Sequence, residues 1–171
     1  MNSVSCIIPV FNNAPTLGAL AEQLIAVTHH INYRAELIFV NDKSTDDSLA
    51  VLLAMKKKYA NIKIFQLAEN CGQSVALIVG LANATSETSI CMDADLQDPP
   101  TAIAELLHEI GTYNFHVVFA GRTGKYESGS RHLSAHLFKQ LFSLLTNGAI
   151  PANAGLFFAI KTKAASNFVE Y

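Results

Sequence analysis

Short runs of apolar residues recur along the chain, and each is followed by a polar cluster and then by a segment with helical spacing. A continuous apolar run bounded by turn residues is typical of a strand that is buried on both faces. Such runs predict strands at residues 4–10, 35–40, 62–67, 88–92, 116–121 and 155–160. Helical spacing predicts helices from Pro15, after an N-cap at Thr45 or Asp46, and at residues 75–84, 99–111 and 130–147. This alternation predicts an α/β fold with a mostly parallel sheet flanked by helices.

Polar side chains follow four of the predicted strands at the point where each strand ends. Asn12 follows the first strand, Asp42 the second, Asp93 the fourth and Arg122 the fifth. Ligands of open α/β sheets bind at the carboxyl ends of the strands. We therefore expect these residues to gather at one edge of the sheet and to form a ligand site.

The strongest chemical signal is the acidic stretch at residues 90–100, where an apolar strand runs into Asp93, Asp95 and Gln97. The period of two along a strand places Asp93 and Asp95 on one side of the backbone. Hard oxygen donors at this spacing suit Mg²⁺ or Mn²⁺, whose coordination is usually completed by substrate phosphates. The stretch therefore predicts a metal–diphosphate site. The alternative is an acidic turn that caps the helix after Pro99 and Pro100.

Composition narrows the classes of protein that fit. A chain of 171 residues with 50% hydrophobic and 15% charged residues predicts a single folded domain. A net charge of −2 gives no basic field to hold nucleic acid, and no apolar run approaches the length of a membrane helix. Cys6 and Cys91 lie within apolar runs, which predicts buried thiols and, with no metal-ligand spacing, a reducing cytoplasmic compartment.

The common nucleotide-binding and hydrolase motifs are absent from the sequence. No G-x-G-x-x-G follows the first strand, residues 121–126 lack the spacing of a P-loop, and no serine sits in a G-x-S-x-G elbow. A nucleotide would therefore be held by carboxylates, amides and a metal rather than by a glycine-rich loop.

Four ordered motifs resemble glycosyltransferase family 2, with its GT-A fold, a Rossmann-like fold that binds nucleotide-diphosphate sugars. The motifs are V-S-C-I-I-P-V-F-N at residues 4–12, F-V-N-D-K-S-T-D at 39–46, N-C-G-Q-S-V-A-L at 70–77 and M-D-A-D-L-Q-D-P-P at 92–100. The last motif is similar to the branch of dolichol- and undecaprenyl-phosphate sugar transferases.

The resemblance implies a donor site made of a nucleoside-binding part and a metal-binding part. The nucleoside would be held by Pro9, Phe11, Asn12 and Asp42, with Gly72, Gln73 and Asp93 beside the base and ribose. Asp93, Asp95 and Gln97 would bind Mg²⁺ or Mn²⁺, which bridges the diphosphate. The metal would neutralise charge on the departing nucleoside diphosphate.

Arg122 and Arg131 also look like that branch, which uses two arginines for an acceptor phosphate. A guanidinium can grip a phosphate bidentately, and a phosphate acceptor is already anionic, so no strong general base is required. The resemblance thus implies inverting transfer of one sugar to polyprenyl phosphate in cell-envelope biosynthesis. Asp93, Asp95, Gln97, Arg122 and Arg131 would be the catalytic set.

Two alternatives stay open. A family 2 transferase could use a saccharide acceptor for a cell-surface polysaccharide, and would then not need both Arg122 and Arg131. The chain could also be a non-catalytic or incomplete nucleotide-sugar-binding module. Residues 153–158 lack the Asp and Arg of the branch pattern, and the chain ends where the acceptor half of the family continues, so we expect a truncated single domain over residues 1–171.

The predicted helix at residues 130–147 has an apolar face together with Arg131, His132, His136 and Lys139. A core helix, or one that forms a homodimer, is favoured over a helix on a membrane surface. The membrane alternative implies peripheral contact with the cytoplasmic face. His132 and His136 are four residues apart but have no third ligand, so we do not expect a metal there.

Overall fold

The computed structural model of the protein describes residues 2–121 and 155–169. The strands are β1 Asn2–Val10, β2 Tyr33–Asn41, β3 Ile62–Gln66, β4 Thr88–Cys91, β5 Val117–Phe119 and β6 Phe158–Lys161. The helices are α1 Ala14–His30, α2 Ser48–Lys58, α3 Gln73–Ala82, α4 Ile103–Thr112 and α5 Thr162–Val169, with a 3₁₀ turn at Pro100–Ala102. None of the helices described is both long and apolar enough to cross a membrane.

The six strands form one sheet in the order β3-β2-β1-β4-β6-β5. β1 pairs in parallel with β2 and β4, and β2 pairs in parallel with β3. These four parallel strands confirm the predicted α/β fold and its mostly parallel sheet. Their carboxyl ends meet at one edge, which we call the carboxyl edge; the opposite side is the amino edge.

The apolar runs are continuous because both faces of the sheet are covered. In β1, Cys6 and Ile8 face a core with α1, α2 and α4, whereas Ile7 faces a second core with α3 and α5. Cys6 and Cys91 are fully buried, as predicted. Burial raises the pKa of Cys6 to about 12 and raises the pKa of Cys91 well above its ordinary value, so both thiols stay protonated.

Helix α3 lies very close to the central strand. A Cβ atom at Gly80 would collide with the side chain of Ile7, so only glycine allows this approach. The contact fixes the distance between α3 and β1. It thereby fixes the position of Gln73, which begins α3 at the carboxyl edge.

The sheet departs from the sequence prediction at its last strand. β6 spans Phe158–Lys161 rather than residues 155–160, and it pairs antiparallel with both β4 and β5. A strand buried on both faces has the same apolar pattern in either direction, so the pattern could not show this reversal. The predicted helix at residues 130–147 lies outside the described residues.

Three helices begin at other residues than predicted. α4 begins at Ile103, after the 3₁₀ turn at Pro100–Ala102, and not at residue 99. α2 begins at Ser48 after Asp47, so the predicted N-cap at Thr45 or Asp46 is wrong. The Asp46 carboxylate instead accepts hydrogen bonds from the N–H of Ser48 at 2.9 Å and of Ala14 at 3.0 Å. α3 begins at Gln73 and not at residue 75, because Gly72 is its N-cap.

Candidate donor site at the carboxyl edge

Four loops at the carboxyl edge are joined to one another by side-chain hydrogen bonds. Asn12, after β1, binds the loop after β2 through the N–H of Thr45. The other three contacts are Asp42 to the N–H of Gly72, Gln73 to Asp93, and Thr16 to the carbonyl of Ala94. Together these contacts form a closed ring from β1 through β2, β3 and β4 back to α1. The structure therefore brings the predicted polar clusters after β1, β2 and β4 into one site.

The loop after β1 presents an aromatic ring to solvent. Asn12 has a φ of 56°, a left-handed conformation that asparagine tolerates better than most residues. Its Oδ1 accepts the N–H of Thr45 at 2.8 Å, and its own N–H donates to Ser44 Oγ at 3.0 Å. The next residue back, Phe11, is left 48% exposed, whereas Pro9 is buried within β1. Phe11 therefore offers an apolar face at this edge, whereas buried Pro9 does not present its side chain to solvent there.

The loop after β2 contains a buried carboxylate. Asp42 is only 3% exposed. Its Oδ1 accepts the N–H of Cys71 at 2.7 Å and its Oδ2 accepts the N–H of Gly72 at 2.8 Å. Bonds of this kind to an ionised carboxylate are stronger than those between neutral groups. Asp42 therefore shapes the loop that precedes α3.

The acidic motif follows β4 directly. Gln73 Nε2 donates to Asp93 Oδ1 at 2.5 Å. Two residues further on, the N–H of Gln97 donates to Asp95 Oδ1 at 3.1 Å, and Leu96 between them has a left-handed φ of 62°. Asp93 and Asp95 are both partly exposed, and Gln97 is exposed. The carboxylates thus stay accessible at the edge of the sheet.

Asp93 and Asp95 do not occupy the N-cap positions of the helices that follow them. The 3₁₀ turn begins after Pro99 and α4 begins after Ala102, and neither N-cap residue makes a side-chain capping bond. Asp93 and Asp95 precede these helix starts by several residues.

The side-chain oxygens of the acidic motif fit Mg²⁺ or Mn²⁺ whose coordination is completed by substrate. No group of three or more His, Cys, Asp or Glu side chains suited to a metal occurs within the described ranges. A dedicated protein cage is not needed, because Mg²⁺ is usually bound by one or two carboxylates together with substrate phosphates and water. Asp93 and Asp95 supply two carboxylates, and Gln97 supplies an amide oxygen. Arg122 and Arg131 lie outside the described residues.

Sequence reasoning missed two residues that join the loops. Thr16 Oγ1 donates to the carbonyl of Ala94 at 2.5 Å, and Ser44 Oγ accepts from the N–H of Asn12. Both lie within or just after the predicted polar clusters, so their positions were a signal. Their partners could not be predicted, because the partners are distant in sequence.

The fold and the site define a GT-A type α/β domain. The chain belongs to glycosyltransferase family 2, because the sequence profile described as "Glycosyl transferase family 2" matches residues 5–168. It is 33% identical over 155 residues to an uncharacterised glycosyltransferase, sll0501, of Synechocystis sp., covering 90% of this chain and 48% of that protein. It is 30% identical to the undecaprenyl-phosphate 4-deoxy-4-formamido-L-arabinose transferase of Sodalis glossinidius, covering 88% of this chain and 46% of that protein.

A solved structure supports the fold. The mannosyltransferase PcManGT from Pyrobaculum calidifontis, in complex with GDP-Man and Mn²⁺, has a TM-score of 0.68 at 19% identity. The match covers 96% of this chain and 46% of that one. The chain thus spans about half the length of the relatives it matches.

Proposed function

We propose that the chain forms the donor-binding part of a metal-dependent inverting glycosyltransferase that moves a sugar from a nucleoside diphosphate to polyprenyl phosphate. The observation that carries this proposal is the ring of linked loops, which holds Asp93 and Asp95 at the carboxyl edge. Family membership supports sugar transfer as the reaction. The name of the Sodalis relative supports a polyprenyl phosphate acceptor.

The donor would lie across the ends of β1, β2 and β4. Phe11 offers an exposed ring against which a base can pack, and Asn12 holds the loop that carries this ring. Asp93, Asp95 and Gln97 would hold Mg²⁺ or Mn²⁺ through their side-chain oxygens. When bound, such an ion supplies Lewis-acid stabilisation of the departing diphosphate. The solved structure that contains GDP-Man and Mn²⁺ shares this fold, which supports a nucleotide sugar and a divalent metal as the ligands.

The assignment of acceptor-binding residues rests on the sequence alone. Arg122 and Arg131 would bind the acceptor phosphate, whose charge makes a strong general base unnecessary. A lipid-linked acceptor implies peripheral contact with the cytoplasmic face of a membrane. Residues 130–147 are the candidate for this contact or for a homodimer interface.

Calorimetric titration tests the donor site. UDP and GDP are each titrated into the protein in Mn²⁺ and in EDTA, and we expect one of them to bind only with the metal. Asp95→Ala should reduce binding in Mn²⁺ to the level seen in EDTA. Asp47→Ala is the matched control, because Asp47 is an exposed carboxylate near the same edge without a side-chain capping bond. Equal binding in Mn²⁺ and EDTA would contradict the proposal.

A saccharide acceptor is the second candidate, and one observation favours it. Where the polyprenyl-phosphate branch pattern has an Asp and an Arg, this chain has apolar residues, and Leu156 and Phe157 are buried in the core. The described part of this segment, from Gly155 to Phe158, therefore offers no polar side chain to a phosphate. Sugar transfer to undecaprenyl phosphate that is lost in both Arg122→Ala and Arg131→Ala would exclude the saccharide candidate. No transfer by a protein that binds the donor would favour a non-catalytic or incomplete binding module.

A further inference from the structure

The β2 loop controls the start of α3 through a single carboxylate. Both oxygens of Asp42 accept backbone N–H groups, from Cys71 at 2.7 Å and from Gly72 at 2.8 Å. The carboxylate is almost fully buried, so these bonds replace its hydration. Its charge also lies at the N-terminus of α3, where the helix dipole favours an anion.

The position of Gln73 is determined from both ends of α3. At the start, Gly72 has a φ of 87°, a left-handed conformation suited to glycine, and its N–H is held by Asp42. Further along, Gly80 packs against Ile7 with no room for a Cβ atom. Because α3 is held at Gly72 and at Gly80, the backbone of Gln73 has a fixed position relative to β1 and β2.

Gln73 in turn holds the first carboxylate of the acidic motif. Its Nε2 donates to Asp93 Oδ1 at 2.5 Å. A side-chain amide can fix the rotamer of a carboxylate without cancelling its charge, whereas a lysine would form an ion pair with it. Gln73 therefore orients Asp93 without itself neutralising the carboxylate.

We propose that Gln73 is a positioning residue that orients Asp93 for the metal–diphosphate site, and that Asp42 acts on the same site through the Cys71–Gly72 backbone. This inference rests on the proposed function, because it assigns Asp93 to the metal site. It gives Asp42 and Gln73 a supporting role in place of direct contact with the nucleoside, which the family resemblance implies for both.

The test measures the Mn²⁺ concentration that gives half-maximal binding of the preferred nucleoside diphosphate, by calorimetric titration, because substrate phosphates complete the proposed metal site. Loss of a residue that orients a metal ligand typically weakens metal affinity by about 10- to 100-fold. We expect Gln73→Ala and Asp42→Asn each to weaken Mn²⁺ binding by about tenfold. Because both act through one route, the double variant should also show about a tenfold loss rather than about a hundredfold loss.

Two control variants match these changes. Asn83→Ala removes a side-chain amide at the other end of α3, where Asn83 Nδ2 donates to the carbonyl of Val79 at 2.8 Å. Asp46→Asn alters a second carboxylate that accepts two backbone N–H groups, but its partners are Ala14 and Ser48. Neither change should alter Mn²⁺ affinity.

Several outcomes would overturn the inference. Wild-type Mn²⁺ affinity in Gln73→Ala would show that Gln73 does not position Asp93 for the metal. Because the Gln73 side chain is partly exposed, its removal should leave the protein folded. A hundredfold loss in the double variant would show two independent effects. A changed preference between UDP and GDP in Asp42→Asn, with Mn²⁺ affinity intact, would show that Asp42 contacts the base instead.

Failure of the proposed function gives a different result. If the wild-type protein binds neither Mn²⁺ nor nucleotide, the proposed function is wrong, and crystal structures of the two single variants then decide the inference. A shifted Asp93 rotamer in both variants would support the positioning roles. An unchanged Asp93 rotamer in either variant would overturn them.

Discussion

Strand β2 has a carboxylate close to each end, and the two are held in different ways. Glu36, near the amino edge, forms an ion pair with Lys63 and accepts hydrogen bonds from Ser5 Oγ at 2.6 Å and from the Thr85 N–H at 3.1 Å. Asp42, at the carboxyl edge, accepts backbone N–H groups. Both carboxylates are largely removed from solvent, so both need partners.

The difference separates a structural carboxylate from one beside a binding site. A lysine cancels the charge of Glu36, and the resulting network joins β1, β2, β3 and the turn before β4. Backbone N–H groups satisfy Asp42 without adding a full positive charge to the carboxyl edge. This difference is consistent with the proposed cation site at the carboxyl edge, whereas the Glu36 network at the amino edge joins strands to one another.

The largest expected effect on folding comes from removing the Asp42 carboxylate. Asp42→Ala leaves the N–H groups of Cys71 and Gly72 without their acceptor, which should lower the free energy of unfolding by about 2–4 kcal/mol. Urea denaturation measures this change. Asp47→Ala, which removes an exposed carboxylate, serves as the control and should stay close to the wild-type stability. Equal stability of the two variants would show that the hydrogen bonds of Asp42 to Cys71 and Gly72 do not stabilise the fold.

The Glu36 network should affect stability without affecting binding. Glu36→Gln keeps the shape of the side chain but removes its charge, and should cost about 1–3 kcal/mol in the free energy of unfolding. Nucleotide affinity in Mn²⁺ should stay unchanged, because the network lies at the opposite edge of the sheet. A loss of nucleotide affinity in a fully folded Glu36→Gln variant would show that the amino edge also affects binding at the carboxyl edge.

The pH dependence of stability should also identify Glu36. Burial would raise the pKa of Glu36, but the hydrogen bonds from Lys63, Ser5 and Thr85 lower it below the ordinary value of 4.5. A lowered pKa in the folded state adds stability above pH 4.5, and this stability is lost as the pH falls through the folded-state pKa. The acid loss of stability should therefore be smaller in Glu36→Gln than in the wild type. Parallel pH profiles from urea denaturation would contradict this assignment.

The smallest effect is expected at the surface pair of Lys58 and Glu22. Lys58 Nζ lies 2.9 Å from Glu22 Oε1. The two side chains are 64% and 60% exposed, so water and salt screen their interaction. Lys58→Ala should leave the thermal midpoint unchanged within error, in contrast to Glu36→Gln. A larger loss in Lys58→Ala than in Glu36→Gln would show that burial does not govern the strength of these pairs.

The sequence was sufficient to predict strands β1 to β4 and the edge at which the polar clusters after β1, β2 and β4 meet. Runs such as residues 4–10 carry this information locally, since burial on both faces requires continuous apolar residues. The bond between Gln73 and Asp93 could not be predicted, because it joins residues 20 positions apart whose distance depends on how α3 packs. The direction of β6 could not be predicted either, because a strand buried on both faces has the same apolar pattern in either direction.

The antiparallel strand β6 has a consequence for how this protein can diverge from its relatives. β5 and β6 are neighbours, and the N–H of Ala120 donates to the carbonyl of Phe157 at 3.0 Å, so the chain leaves the sheet and returns at the same point of the carboxyl edge. The cost of closing a loop grows only with the logarithm of its length. A change in the length of the connection between β5 and β6 therefore need not alter the register of any strand. If Arg122 and Arg131 bind the acceptor as proposed, the choice of acceptor can change while the strands that carry Asp42 and Asp93 keep their pairing.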